Sequence, residues 1–292
     1  MSDARLRGVI AAIATPIDAN GQPDLRKFEK LARHLLANGC DGLNVLGTTG
    51  EATSFSLQQR ISVMEFAASS GLPLDRLMVG TGAAAVEDAV HLTRKAAEIG
   101  FATALLLPPF YYKGVPASGV VDYFRPIIAA SGKLPLYLYN FPALSGVPYT
   151  PELVRALRDS FGDRIAGLKD SSGDLDYARR IASENPGLKV FPSNEATLLE
   201  ARTGTFAGCI SATANLNSLY CGKAWSSGDE TAHTTAVSIR KLFDGKALVP
   251  GIKALLSKIR NDPALATVKP PMSNFGDADT AALFSQYQSL VA

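Results

Sequence analysis

A (β/α)8 barrel followed by a helical extension is the fold class predicted by this 292-residue sequence, and three observations predict it. Short β-branched or leucine-rich runs alternate with amphipathic stretches eight times over, the pattern of successive βα units. No long linker or low-complexity break separates the eight units, which favours one closed barrel over an open doubly wound sheet. The length suits a barrel built as a single unit.

The first strand is predicted over 9–15, and the helix over 25–38 stops at Asn38-Gly39, where glycine suits a left-handed cap. The second strand, 42–46, runs into Gly47-Thr-Thr-Gly-Glu51. Ser56-Leu-Gln-Gln59 then opens a helix over 57–70 with the Ser-x-x-Gln form of a capping box. Strand three, 77–80, leads through Gly80-Thr-Gly-Ala-Ala-Ala85 to a helix over 86–99 closed by Gly100. Strand four, 103–107, precedes Pro108-Pro-Phe-Tyr-Tyr112 and a helix over 118–130 that ends at Ser131-Gly132. Strand five, 136–140, lies within Tyr137-Leu-Tyr-Asn-Phe-Pro142, and Thr150-Pro151 places an N-cap and a first-turn proline before a helix over 151–161. Strand six, 165–169, ends in Lys169 and is followed by a helix over 175–185. Strands seven and eight, 189–192 and 208–212, each precede a helix, over 196–202 and 217–226. Residues 1–228 thus form the (β/α)8, or TIM, barrel. Residues 229–292 form the extension, with helices over 233–243, 252–259 and 278–290 that pack on the barrel and help build an oligomer.

Composition narrows the function. Apolar residues make up 47% of the chain, yet no run approaches the roughly 20 apolar residues of a membrane span. The N-terminal residues carry no apolar segment before a cleavage site, so no signal peptide is expected. Three cysteines, Cys40, Cys209 and Cys221, are odd in number and lack a C-x-x-C pairing, which points to a reducing compartment, the cytoplasm. The net charge of +2 is carried by scattered lysines and arginines, so neither nucleic acid nor membrane is an expected partner, and the ligand is expected to be small.

Active sites of such barrels lie at the C-terminal ends of the strands. The residues there are Thr15-Pro16, Gly47 to Glu51, Gly80-Thr81-Gly82, Pro109 to Tyr112, Tyr139-Asn140, Lys169, Ser193-Asn194-Glu195 and Ser211-Ala212-Thr213. Hydroxyls, small residues, a phenol and an amine converge; metal-ligand types do not. His34, His91 and His233 all fall on predicted helices with no H-x-x-H spacing, so neither a metal nor any other cofactor is expected.

Lys169 stands in the apolar run Ile165-Ala-Gly-Leu-Lys, on the face opposite Leu168 and Asp170. An amine in apolar surroundings loses solvation of its charged form, which makes a neutral nucleophile available to a carbonyl. The other reading is a lysine at the barrel mouth that snorkels into water. Tyr137 and Tyr139 share a face and can stand near it, or simply pack as strand aromatics. The Gly47-Thr-Thr-Gly-Glu51 turn can hold a carboxylate on its N–H groups, or merely cap its own backbone. Together a lysine for Schiff-base formation, a tyrosine for proton transfer and a donor-rich turn suit a 2-oxo acid.

Across its whole length the chain resembles the pyruvate-dependent class I aldolases and lyases that include dihydrodipicolinate synthase, N-acetylneuraminate lyase and 2-keto-3-deoxygluconate aldolase. The motifs that carry the resemblance are Ala14-Thr-Pro16, Gly47-Thr-Thr-Gly-Glu51, Pro108-Pro-Phe-Tyr-Tyr112, Tyr137-Leu-Tyr-Asn-Phe-Pro142, Gly167-Leu-Lys-Asp-Ser-Ser172 and Ile210-Ser-Ala-Thr213. The resemblance implies that Lys169 forms the Schiff base, with Tyr139 relaying protons and Thr48 beside it in the relay. It implies that Thr49 and the adjacent backbone at Gly50 hold the pyruvate carboxylate, with Ile210 among the substrate-binding residues. Tyr111 matches a tyrosine that members insert into the neighbouring subunit's site, which implies a homo-oligomer, usually a tetramer built from dimers.

One position departs from the synthase pattern. Leu144 stands where dihydrodipicolinate synthases carry an arginine for the second substrate's carboxylate, and an aliphatic side chain cannot make that bidentate contact. Asn140-Phe-Pro-Ala-Leu-Ser-Gly146 is more similar to the sugar-acid lyases, with Ser171, Glu195 and Ser211 as candidates for reading substrate hydroxyls; loop hydrogen bonds and helix capping are the other account of those three. The expected activity is cleavage of a 2-keto-3-deoxy sugar acid to pyruvate and an aldehyde. The alternatives are a dihydrodipicolinate synthase, a dehydratase working through the same Schiff base, and a non-catalytic 2-oxo-acid sensor. The G-x-G-x-x-A run at Gly80 matches a dinucleotide fingerprint, but it follows the third strand and lacks the acidic residue that fingerprint requires, so a tight βα turn explains it.

Overall fold

In a computed structural model that describes residues 6–292, eight parallel strands form the barrel. Residues 1–5, which belong to the segment read for a signal peptide, lie outside the described residues. The strands are β1 (Gly8–Ala12), β2 (Gly42–Val45), β3 (Leu77–Gly80), β4 (Thr103–Leu106), β5 (Leu136–Asn140), β6 (Ile165–Asp170), β7 (Lys189–Pro192) and β8 (Gly208–Ser211). They pair in the order β7-β6-β5-β4-β3-β2-β1-β8. Between β7 and β8 the ring is drawn together by the Ala207 N–H, which donates to Val190 O at 2.9 Å.

Strand alternation sorts the side chains into two bodies. Leu43, Val45, Leu136, Leu138, Leu168 and Val190 face outward into the layer shared with the helices. Ile10, Met78, Leu105, Tyr137, Tyr139, Phe191 and Ile210 face inward and fill the barrel. Room for the Tyr137 ring comes from Gly167 on the neighbouring strand: a Cβ there would lie 2.5 Å from Tyr137 Cε2.

The helices are α1 (Leu25–Ala37), α2 (Leu57–Ser69), α3 (Val86–Ile99), α4 (Ala117–Ala130), α5 (Pro142–Ser145), α6 (Pro151–Phe161), α7 (Leu175–Glu184), α8 (Leu198–Arg202), α9 (Ala214–Ser227), α10 (Glu230–Lys241), α11 (Leu248–Arg260) and α12 (Asp277–Val291). The capping box of α2 is formed by both Ser56 and Gln59, and Thr150 caps α6 through the Leu153 N–H. No helix among the described residues is long and apolar enough to cross a membrane.

The expected and observed boundaries differ where side chains compete with the ladder. The first strand leaves the sheet at Ala12, three residues early, and the Ala14 N–H turns to the Asn215 side chain instead. α9 begins at Ala214 and passes through a non-helical Asn217 (φ −120°), whose side chain is drawn to Glu195 and to Ala236 O. α11 starts at Leu248, four residues before its predicted start. Pro250 sits in its first turn, where a missing N–H breaks no helical bond. α10 packs on α9, and α11 packs on α9 and α12, so the extension rests on the last βα unit.

Candidate active site

β5 and β6 are neighbours in register, which sets Tyr139 directly across from Lys169. Lys169 is 3% exposed, and its Nζ lies over the Tyr139 ring, 4.3 Å from the centroid. This side chain does not snorkel into water. Among the described residues no carboxylate forms an ion pair with it. The Tyr139 hydroxyl shares a 3.1 Å hydrogen bond with Thr48 Oγ1, so the amine, the phenol and the hydroxyl arrive from β6, β5 and the turn after β2. Phe141 flanks Tyr139 with ring centroids 5.9 Å apart.

The residues one step further along each strand are joined on the opposite face. Asn140 Nδ2 donates to Asp170 Oδ1 at 2.7 Å, while Asn140 Oδ1 accepts the Tyr149 N–H at 3.0 Å. Ser172 Oγ donates to Asp170 Oδ2 at 2.9 Å, and the Ser171 N–H donates to Asn140 O at 2.8 Å. Burial pushes the Asp170 carboxyl up from its ordinary range against the bonds from Asn140 and Ser172. Sequence reasoning passed over this clasp, although alternation alone implies that the residues after Tyr139 and Lys169 share the outer face.

The turn after β2 is held from several sides. Thr49 is buried, and Thr15 Oγ1 donates to Gly50 O at 3.0 Å. A Cβ on Gly50 would sit 3.1 Å from Ile13 O and 3.2 Å from the Leu46 backbone, so the turn lies flat against β1 and β2. Glu51 closes it in the left-handed region (φ 55°). Its carboxylate pairs with Lys253 of α11 and accepts the Lys269 N–H at 2.7 Å. Burial pulls the Lys253 ammonium down, opposed by Glu51. Beside the turn, a small cavity is lined by Thr48, Leu105, Leu107, Tyr139 and Arg60. Arg60 is buried and donates to Gly80 O (2.9 Å) and Gly82 O (3.1 Å), and burial pulls its guanidinium down to about 10. A larger cavity of about 800 Å³ opens at the other end of the strands, among Thr103, Lys133, Arg158 and Ile165, and none of the candidate catalytic residues lines it.

Glu195, Ser211 and Ile210 come together less simply. Ile210 is in the barrel interior with Tyr139. Ser211, on the alternate face, donates to Glu195 Oε1 at 2.7 Å. The same oxygen accepts from Thr213 Oγ1 and from Asn217 Nδ2 at 3.3 Å, while Oε2 lies 3.4 Å from Arg240 of α10. Glu195 is fully buried, and any substrate hydroxyl meeting it would share oxygens already engaged. Ser171 is half-buried at the end of β6. Tyr111 and Leu144 are 76% and 63% exposed, on the segments after β4 and β5.

The sequence profile of the dihydrodipicolinate synthetase family matches residues 5–283. An uncharacterised DapA-like lyase of Chloroflexus aurantiacus is 31% identical over 296 residues, covering 99% of this chain and 98% of its own. Among solved structures, dihydrodipicolinate synthase from Agrobacterium tumefaciens superposes with a TM-score of 0.91 at 26% identity, covering 98% of this chain and all of its own. YagE, a prophage protein of E. coli K12 solved in complex with pyruvate, superposes with a TM-score of 0.88 at 28% identity, covering 99% of each chain.

Proposed function

The chain belongs to the dihydrodipicolinate synthetase family, a family of lyases, and on that premise we propose that it is a Schiff-base aldolase that cleaves a 2-keto-3-deoxy sugar acid to pyruvate and an aldehyde. The observation that carries the reading is the buried Lys169 amine over Tyr139, with the Tyr139 hydroxyl bonded to Thr48. Lys169 adds to the C2 carbonyl and water leaves, giving an iminium. Tyr139 takes the proton of the C4 hydroxyl, the C3–C4 bond breaks, and its electron pair moves into an enamine as the aldehyde departs. A proton returned to C3 regenerates the iminium, and water releases pyruvate and the free amine. The N–H groups around Thr49 and Gly50 receive the carboxylate throughout, with Ile210 lining the same interior. The chain's own residues supply all of these groups, so the proposal includes no metal and no cofactor.

The substrate assignment rests on Leu144. A side chain of this kind offers no bidentate contact to a second carboxylate. Of the candidates for reading a hydroxylated tail, Ser171 is half-buried at the end of β6, while Ser211 and Glu195 are bonded to each other on the alternate face and would act only through that network. The exposure of Tyr111 supports a role in a second subunit's site and hence a homo-oligomer, a dimer or tetramer. Three buried free cysteines support a cytoplasmic setting.

Borohydride reduction with pyruvate followed by mass spectrometry tests the chemistry. A covalent adduct on Lys169 is expected, and its absence while pyruvate still binds would leave a sensor. The second reading, a dihydrodipicolinate synthase, is favoured by the similarity to dihydrodipicolinate synthase from Agrobacterium tumefaciens. Turnover of aspartate semialdehyde would establish it over the aldolase.

A further inference from the structure

We infer that Lys253 of the extension is a positioning residue for the carboxylate-receiving turn: paired with buried Glu51, it holds Thr48-Thr49-Gly50 in the shape that seats the 2-oxo acid. This rests on the reading that the turn receives the carboxylate.

The two side chains are 1% and 0% exposed. Taking both charges out of water is repaid only where geometry is good and the remaining donors and acceptors are used. Here they are used. Lys253 Nζ also donates to Thr15 O at 3.0 Å, and the second Glu51 oxygen accepts the Lys269 N–H at 2.7 Å. Thr15 in turn donates its hydroxyl to Gly50 O, so one residue of the β1 loop links Lys253 to the middle of the turn.

Glu51 itself needs holding. It sits at φ 55°, a region few non-glycine residues enter, so local backbone preference does not choose this conformation. The Glu51 N–H donates to Thr48 O at 3.0 Å, and the bonds to Lys253 and Lys269 hold its side chain. On its other side the turn abuts Ile13 and Leu46, which leaves the Glu51 end as the side from which it can relax. Lys169 and the Tyr139 ring are placed by the pairing of β5 with β6, while the Tyr139 hydroxyl is bonded to Thr48 of the turn. Loss of the tether therefore weakens the seat and the Thr48 bond to the phenol while leaving the Lys169 amine in place.

The full chain, Lys253→Met, Glu51→Gln and the double variant are compared by borohydride trapping across a pyruvate series, with thermal unfolding followed in parallel. Each single variant is expected to trap pyruvate on Lys169 at saturation, but to need about tenfold more of it. The double variant leaves no charge unpaired, so it is expected to regain thermal stability without regaining pyruvate affinity. Half-saturation unchanged in folded Glu51→Gln, or restored together with stability in the double variant, would overturn the inference. Glu51→Gln is nearly isosteric and decides the matter if Lys253→Met does not fold. Wild type that traps no pyruvate would instead remove the reading of the site itself, and the inference with it.

Discussion

Lys169 and Lys253 are both withdrawn from water, and their surroundings treat them in opposite ways. Lys253 is given a carboxylate, while Lys169 is given the face of Tyr139 and, among the described residues, no counter-ion. A lysine amine can add to a carbonyl, whereas a guanidinium cannot serve as that nucleophile. Lys169→Arg is therefore expected to trap no pyruvate at all, because a guanidinium stays charged, and mass spectrometry after borohydride reads the loss. Tyr139→Phe keeps the ring over the amine and removes the proton relay. It should lower kcat about 10²- to 10³-fold in steady-state assays of pyruvate release while the adduct still forms, and an unchanged kcat would assign proton transfer elsewhere. Lys169 was legible because strand alternation is a local rule. Lys253 was not, since its partner lies 202 residues earlier and nothing within 252–259 marks one lysine as buried.

At the scale of elements, β5 and β6 carry the proposed amine and phenol on one face and a hydrogen-bonded clasp on the other. Asn140→Ala would strip the donor from Asp170 and the acceptor from the Tyr149 N–H, two buried groups at once. The expected cost is about 2–4 kcal/mol, measured by urea unfolding, with a fall in kcat as the strand ends loosen. Full stability in that variant would mean that water replaces the amide. All eight strands could be found from hydrophobic period, because a barrel strand needs a continuous apolar run. What escaped were elements set by tertiary bonds or too short to show a period. α5 has four residues, and Glu195 to Thr197 form a 3-10 turn where the start of an α-helix was expected. The break at Asn217 answers to Glu195 and α10, which no window around residue 217 contains.

Over the whole molecule, burial of acidic protons sets the alkaline limit of stability. Burial pushes the Cys40 thiol up to about 12, and Cys209 and Cys221 well above their ordinary value. Above about pH 9 the unfolded chain releases these protons and the folded chain keeps them, so stability is fully present below that pH and falls as pH rises toward 12. Tyr123, pushed to about 12, adds the same sign from about pH 10, while Arg60 opposes it there. Urea midpoints should stay level from about pH 7 to 8.5 and decline from about pH 9, and native protein at pH 8 should resist iodoacetamide at all three thiols. Rapid native labelling of any of them would contradict this. All three thiols are free and buried. The Glu51 tether has a consequence in time. Lys253 and Lys269 leave the ribosome after every barrel strand, so a growing chain acquires Lys169, Tyr139 and the turn before the residues that fasten the turn. On the aldolase reading, competence to seat a 2-oxo acid then waits for the final helices.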